Sequence, residues 1–134
     1  MTNDPNRRLD AKAVQKISGA AWAPLKQQFF DASEALLRVA DGARSELTTI
    51  YVKYSIEIVD KWIPYAVIWI KKSSELVIGL ALPDDFEATG VVAPPSGLKY
   101  PFLTKYVVIR AGEQLPSQFG EWARLAHSNV VSKK

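Results

Sequence analysis

Cations set beside aromatic rings are the residues here with the most chemistry to offer. Lys53 shares a polar strand face with Tyr51, Lys99 adjoins Tyr100, and Lys105 and Arg110 bracket an apolar run. Such groups suit an anion, a nucleotide or a single nucleic-acid strand laid over stacking rings. They are also the groups that decorate an ordinary sheet, where the stems cover apolar area and the charged heads stay in water. Lys53, Lys99, Tyr100, Lys105 and Arg110 are therefore the expected ligand-binding set, provided that the fold brings them together.

Other chemistry is thinly supplied. There is one histidine, His127, and no cysteine, which removes disulfides, thiolate nucleophiles and zinc-thiolate sites together. A general base at His127 would need an activated nucleophile and an orienting acid that the sequence does not place near it. Asp84, Asp85 and Glu87 follow Pro83, a context that more often makes a solvated turn or helix start than a cation site. No glycine-rich phosphate loop is present, and Ser45, Ser73, Ser74 and Ser96 lie outside any nucleophile elbow. No catalytic residue, metal ligand or cofactor is expected.

The elements that must carry these residues are read from periodicity. Val52, Tyr54, Ile56 and Ile58, with Ile50 before them, alternate with Tyr51, Lys53, Ser55 and Glu57, the period of two of a half-buried strand over 48–58. Further strands are expected over 65–70, 76–82 and 105–110, with a turn at 60–64 because Pro64 cannot donate to a ladder. Gly79 marks a bulge or a close backbone approach. Leu25, Phe29, Ala32, Leu36 and Ala40 recur at helical steps behind Pro24, and Phe119, Trp122, Ala123 and Ala126 do so behind Pro116, predicting helices over 24–40 and 116–129. Between 83 and 104 lie four prolines, Pro83, Pro94, Pro95 and Pro101, so this stretch reads as a long loop, of a length that is usually functional or mobile. The four tryptophans suit a core or a partner interface. The fold class that follows is α+β: a four-stranded antiparallel meander sheet with an N-terminal and a C-terminal helix on one face.

With 134 residues, 48% of them hydrophobic, the chain is the size of one domain. That domain is expected over 21–130, between a polar N-terminal tail (1–20) and a basic C-terminal tail (131–134). The formal charge of +3 sits at the ends, since residues 21–129 carry 11 bases against 12 acids. Basic ends strengthen contact with polyanions by counterion release. No apolar run approaches the length of a spanning helix and no signal-like apolar stretch opens the chain, so a cytoplasmic protein with no membrane partner is expected.

The meander TTIYVKYSIEIVDKWIPYAVIWIKKSSELVIGLALP and the closing YVVIRAGEQLPSQFGEWARLAHSN resemble the YdhG-like α+β domains, a group largely of unknown function, over about residues 24–129. The resemblance implies the fold. Some relatives are linked to a frataxin-like iron-chaperone role, which needs a cluster of surface carboxylates; the first long helix offers Asp31, Glu34 and Asp41. The expected function is a non-enzymatic binding or interaction domain that holds a small anionic ligand or a protein partner on its sheet face and long loop. Its alternatives are a nucleic-acid-associated accessory domain, the iron-binding role, and an enzyme without a recognisable motif. Homodimerisation is left open by the sequence.

Overall fold

The computed structural model describes residues 10–40, 42–48, 51–70, 75–83, 85–88, 91–92 and 103–132. In chain order these form α1 (Ala11–Ile17), a 3₁₀ segment (Ala20–Leu25), α2 (Lys26–Leu37), β1 (Arg44–Thr48), β2 (Tyr51–Ile58), β3 (Lys61–Trp69), β4 (Glu75–Leu80), β5 (Lys105–Arg110) and α3 (Phe119–Ser132). The sheet is an antiparallel meander in the order β1-β2-β3-β4-β5. It is α+β as expected, but has five strands where four were anticipated. The additional strand, β1, carries a single large apolar residue, Leu47, and lies at the sheet edge with a largely exposed burial pattern. Apolar alternation follows from burial of one sheet face, and no residue of β1 is fully buried.

Pairing also moves the turn. Ile58 faces Lys61 in a two-residue connection, and β3 runs on through Pro64, which sits opposite Ser55 beside a register shift. Proline is tolerated there because an irregular ladder does not require its missing N–H. Val59 and Asp60 have φ of 49° and 63°, the two positive values of a type I′ hairpin turn. Val59 is unusual in that role, since a β-branched side chain is strained in the left-handed region, and it is 87% exposed.

Helices α2 and α3 cover one sheet face. Phe29, Ala32, Leu36 and Leu37 from α2 and Phe119, Trp122, Ala123, Ala126 and Val130 from α3 are buried against it. Two tyrosines fix the contact: Tyr54 and Ser33 share a buried hydroxyl–hydroxyl bond of 2.5 Å, and the Tyr65 hydroxyl donates to the Leu36 carbonyl. Helix α3 continues past Asn129 because Val130 repeats the apolar step from Ala126. The basic tail expected at 131–134 is thus helical at Val131 and Ser132, and Lys133 and Lys134 lie outside the described residues.

A larger difference concerns the tail expected at 1–20. Residues 10–20 are docked: Ala13 and Ile17 of α1 have no exposed surface. Asp10 caps α1 by accepting from the Lys12 N–H (2.9 Å), and its other carboxylate oxygen accepts from the Leu47 N–H (2.7 Å) on the outer side of β1. Its own N–H donates to Ser45 Oγ (2.7 Å). Burying one isoleucine is worth about 2 kcal/mol, and the capping carboxylate quiets an edge donor that would otherwise recruit another strand. Glu113 does the same at the far edge, where its carboxylate accepts from the Arg110 N–H (2.7 Å).

The sheet's second face is closed over its β3–β5 half. Trp69 and Tyr106 meet across β4 with ring centroids 5.7 Å apart, and Val67 and Tyr106 are fully buried. Gly79 lies between them in an unbroken register, so the close-approach reading of this glycine holds and the bulge does not. A Cβ at that position would stand 2.7 Å from a Leu103 methyl, 2.9 Å from the Tyr106 ring and 3.2 Å from the Trp69 ring. Gly79→Ala should therefore cost about 1–3 kcal/mol in urea unfolding, the usual penalty of overpacking. Gly120→Ala, with nothing within 4 Å of its new methyl, should be neutral or stabilising by up to about 1 kcal/mol.

Candidate functional site

Away from the aromatic half, the second face carries a polar groove of about 430 Å³ across β1, β2 and β3. Strand alternation places Arg44 and Glu46 of β1, Lys53 and Ser55 of β2, and Trp62 of β3 on this face. Arg44 is the first residue of the edge strand and pairs with Ser55, while Trp62 pairs with Glu57 on the far side of β2. The Arg44 side chain thus passes over β2 to lie on the indole, its Cζ 4.8 Å from the ring centroid. A cation–π contact at such an exposed site is worth about 0.5–1 kcal/mol. Arg44 has no carboxylate partner among the described residues, where the ion pairs are Arg38 with Glu34 and Lys53 with Glu46.

Beneath Arg44 the floor is Ser55, which is 7% exposed. Its hydroxyl has no hydrogen-bond partner among the described residues. A buried hydroxyl left unpaired costs about 1–3 kcal/mol, and one that lines a groove can recover this from a ligand or water. Lys53 Nζ stands 3.8 Å from Glu46, too far for a hydrogen bond. Because Glu46 is 68% exposed, the pair contributes little to stability. Asp10 completes the wall, held in place by its two backbone donors.

Of the expected ligand-binding residues that the structure describes, Lys53 alone lines this groove. Lys105 pairs with Leu80 on the helix side of the sheet, at the opposite edge. Arg110 is on the groove's side but faces Glu75 at the end of β5. Three strand spacings and four residues separate it from the Lys53 row, roughly 20 Å. Lys99 and Tyr100 lie outside the described residues, so Lys53, Lys105 and Arg110 are not brought together. Sequence reasoning did not single out Arg44 or Ser55, and Trp62, expected in a core or a partner interface, is 43% exposed. The available signal was charge alternation: Arg44 and Glu46 face Ser55 and Lys53 once 44–58 is read as a hairpin.

The remaining candidates separate from the groove. Asp85 and Glu87 are exposed around Phe86, which anchors its segment edge-on to Trp122 with centroids 6.4 Å apart. Among the described residues there is no group of three or more metal-ligating side chains, and no helix is long and apolar enough to cross a membrane. No family model, curated protein or solved structure matches this chain.

His127 on α3 packs edge-on against Tyr65, with centroids 5.8 Å apart and planes at 88°. Glu57 and Arg44 line the cavity it faces. Partial burial pushes its pKa below the ordinary value of 6.5, because removal from water disfavours the imidazolium. The folded state then binds fewer protons than the unfolded state as pH falls through 6.5, so stability declines with acidification and levels off below the folded value. Urea midpoints measured from pH 7.5 to 5 should show this decline. His127→Gln should flatten that step, and an unchanged profile would place the titration elsewhere.

Proposed function

We propose that this chain is a non-enzymatic binding domain that holds a small anionic ligand in the groove between Arg44, Lys53 and Trp62. The single observation that carries the reading is a guanidinium laid on an aromatic ring, without a carboxylate partner among the described residues, above a buried hydroxyl that also lacks one. Arginine presents five donors in a fixed fork that matches carboxylate and phosphate oxygens. Stacking on Trp62 removes side-chain freedom before a ligand arrives, which lowers the entropic cost of binding. Lys53, loosely held by Glu46, supplies a second cation on the neighbouring strand.

Within the same proposal, the YdhG-like ascription is supported by the order of long helix, antiparallel strands and terminal helix.

Thermal denaturation against a panel of small anions tests the assignment. A specific anion at about one hundred times its Kd stabilises the folded chain by about 2.7 kcal/mol, a rise of roughly 5 °C or more for a domain of this size. Arg44→Ala should abolish that rise, and Lys105→Ala, on the other side of the sheet, should preserve it. A shift that survives Arg44→Ala and disappears with Lys105→Ala would move the site to the far edge.

A further inference from the structure

We infer that the groove selects a carboxylate carried by a small molecule over phosphate and over a nucleic-acid strand. This rests on the anion-binding reading and narrows it through the charges that share the groove. Arg44 and Lys53 are opposed by Asp10 and Glu46 in the same lining. The Asp10 carboxylate cannot swing away to admit a competing anion, because its two oxygens are bonded to the N–H groups of Lys12 at 2.9 Å and Leu47 at 2.7 Å. A fixed negative charge at a groove wall repels each additional charge on a ligand. That repulsion is several times stronger near a protein surface than in bulk water.

A carboxylate brings one negative charge, and a phosphate monoester brings between one and two at neutral pH. The carboxylate is therefore the anion that gains from Arg44 with the least repulsion from Asp10 and Glu46. Its planar pair of oxygens matches the guanidinium fork in a two-point contact. One oxygen retains acceptor capacity for the Ser55 hydroxyl, a neutral donor on the floor. A polyanion fares worse than either, since its neighbouring phosphates would lie along β1 and β2, where Glu46 and Glu57 stand on the same face as Lys53. The groove's volume of about 430 Å³ lies within the range of small-molecule pockets, and the half-exposed Trp62 edge offers apolar surface to the body of the acid.

Calorimetric titration with benzoate, inorganic phosphate and an oligothymidylate separates the possibilities. Benzoate should bind, phosphate should bind about tenfold or more weakly, and the oligothymidylate should show no binding that depends on Arg44. Arg44→Lys should weaken benzoate about tenfold, because a lysine keeps the charge and loses the fork. Ser55→Ala should weaken benzoate severalfold, and Glu46→Gln should raise phosphate affinity relative to benzoate. Phosphate binding as tight as benzoate, or oligothymidylate binding lost with Arg44→Ala, would overturn the selectivity and leave an anion site standing. Benzoate binding indifferent to both Arg44→Lys and Ser55→Ala would overturn the assigned contacts. If none of the three probes binds, the anion reading fails together with the selectivity.

Discussion

Trp69 and Tyr106 can close over β4 only because Gly79 puts no side chain between them, and the layout of the whole second sheet face follows from that gap. Two large rings and Leu103 fill the space a side chain would take, which turns half of this face into a second apolar layer. Tyr51 extends the layer to β2, with its ring centroid 6.0 Å from that of Trp69. Among the described residues, the remaining half, over β1 and the hairpin end of β2 and β3, has no such aromatic cover. Polar residues occupy it, and there a cation and an aromatic ring lie above a hydroxyl that is 7% exposed. The opposite face is simpler, since α2 and α3 cover it and buried tyrosine hydroxyls set its register.

The N-terminal segment does two jobs at the groove. Through Ala13 and Ile17 it adds core, and through Asp10 it holds β1 in place by pairing an edge N–H that no strand satisfies. Arg44 and Glu46 are on that same strand, so the clamp that stops the sheet edge also positions the groove's rim. The Asp10 charge that results is immobile, which is why the groove is electrostatically balanced despite two cations. On the proposed reading, fold stability and ligand choice share one carboxylate.

Periodicity made much of the fold legible before any coordinates. The strand over Lys105–Arg110, the alternation of Val52, Tyr54 and Ile56, and the apolar face of α3 all rest on local patterns that burial reproduces. Strand β1 escaped because it has Leu47 alone; the spacing of Leu9, Ala13, Val14 and Ile17 allows a short amphipathic helix to be read, but not the docking of α1 through Ala13 and Ile17. The turn was misplaced because Pro64 was read as a strand breaker, whereas a register shift accommodates it. The groove was less visible still. Arg44 and Trp62 meet only when the register of two successive hairpins is known, and a one-residue slip in either would send one of them to the helix side. The face taken by Lys53 was legible because its neighbours alternate; that of Lys105 was not, since its position at a strand start says nothing about which face it takes.

Nuclear magnetic resonance of the Arg44 Nε–H and Trp62 indole N–H during titration with benzoate tests the central claim most directly. If the groove is the binding site, both signals move together and saturate with the same Kd, and the backbone amides of Lys105 and Arg110 stay in place. Shifts concentrated on β5, with Arg44 and Trp62 unmoved at saturation, would contradict the account.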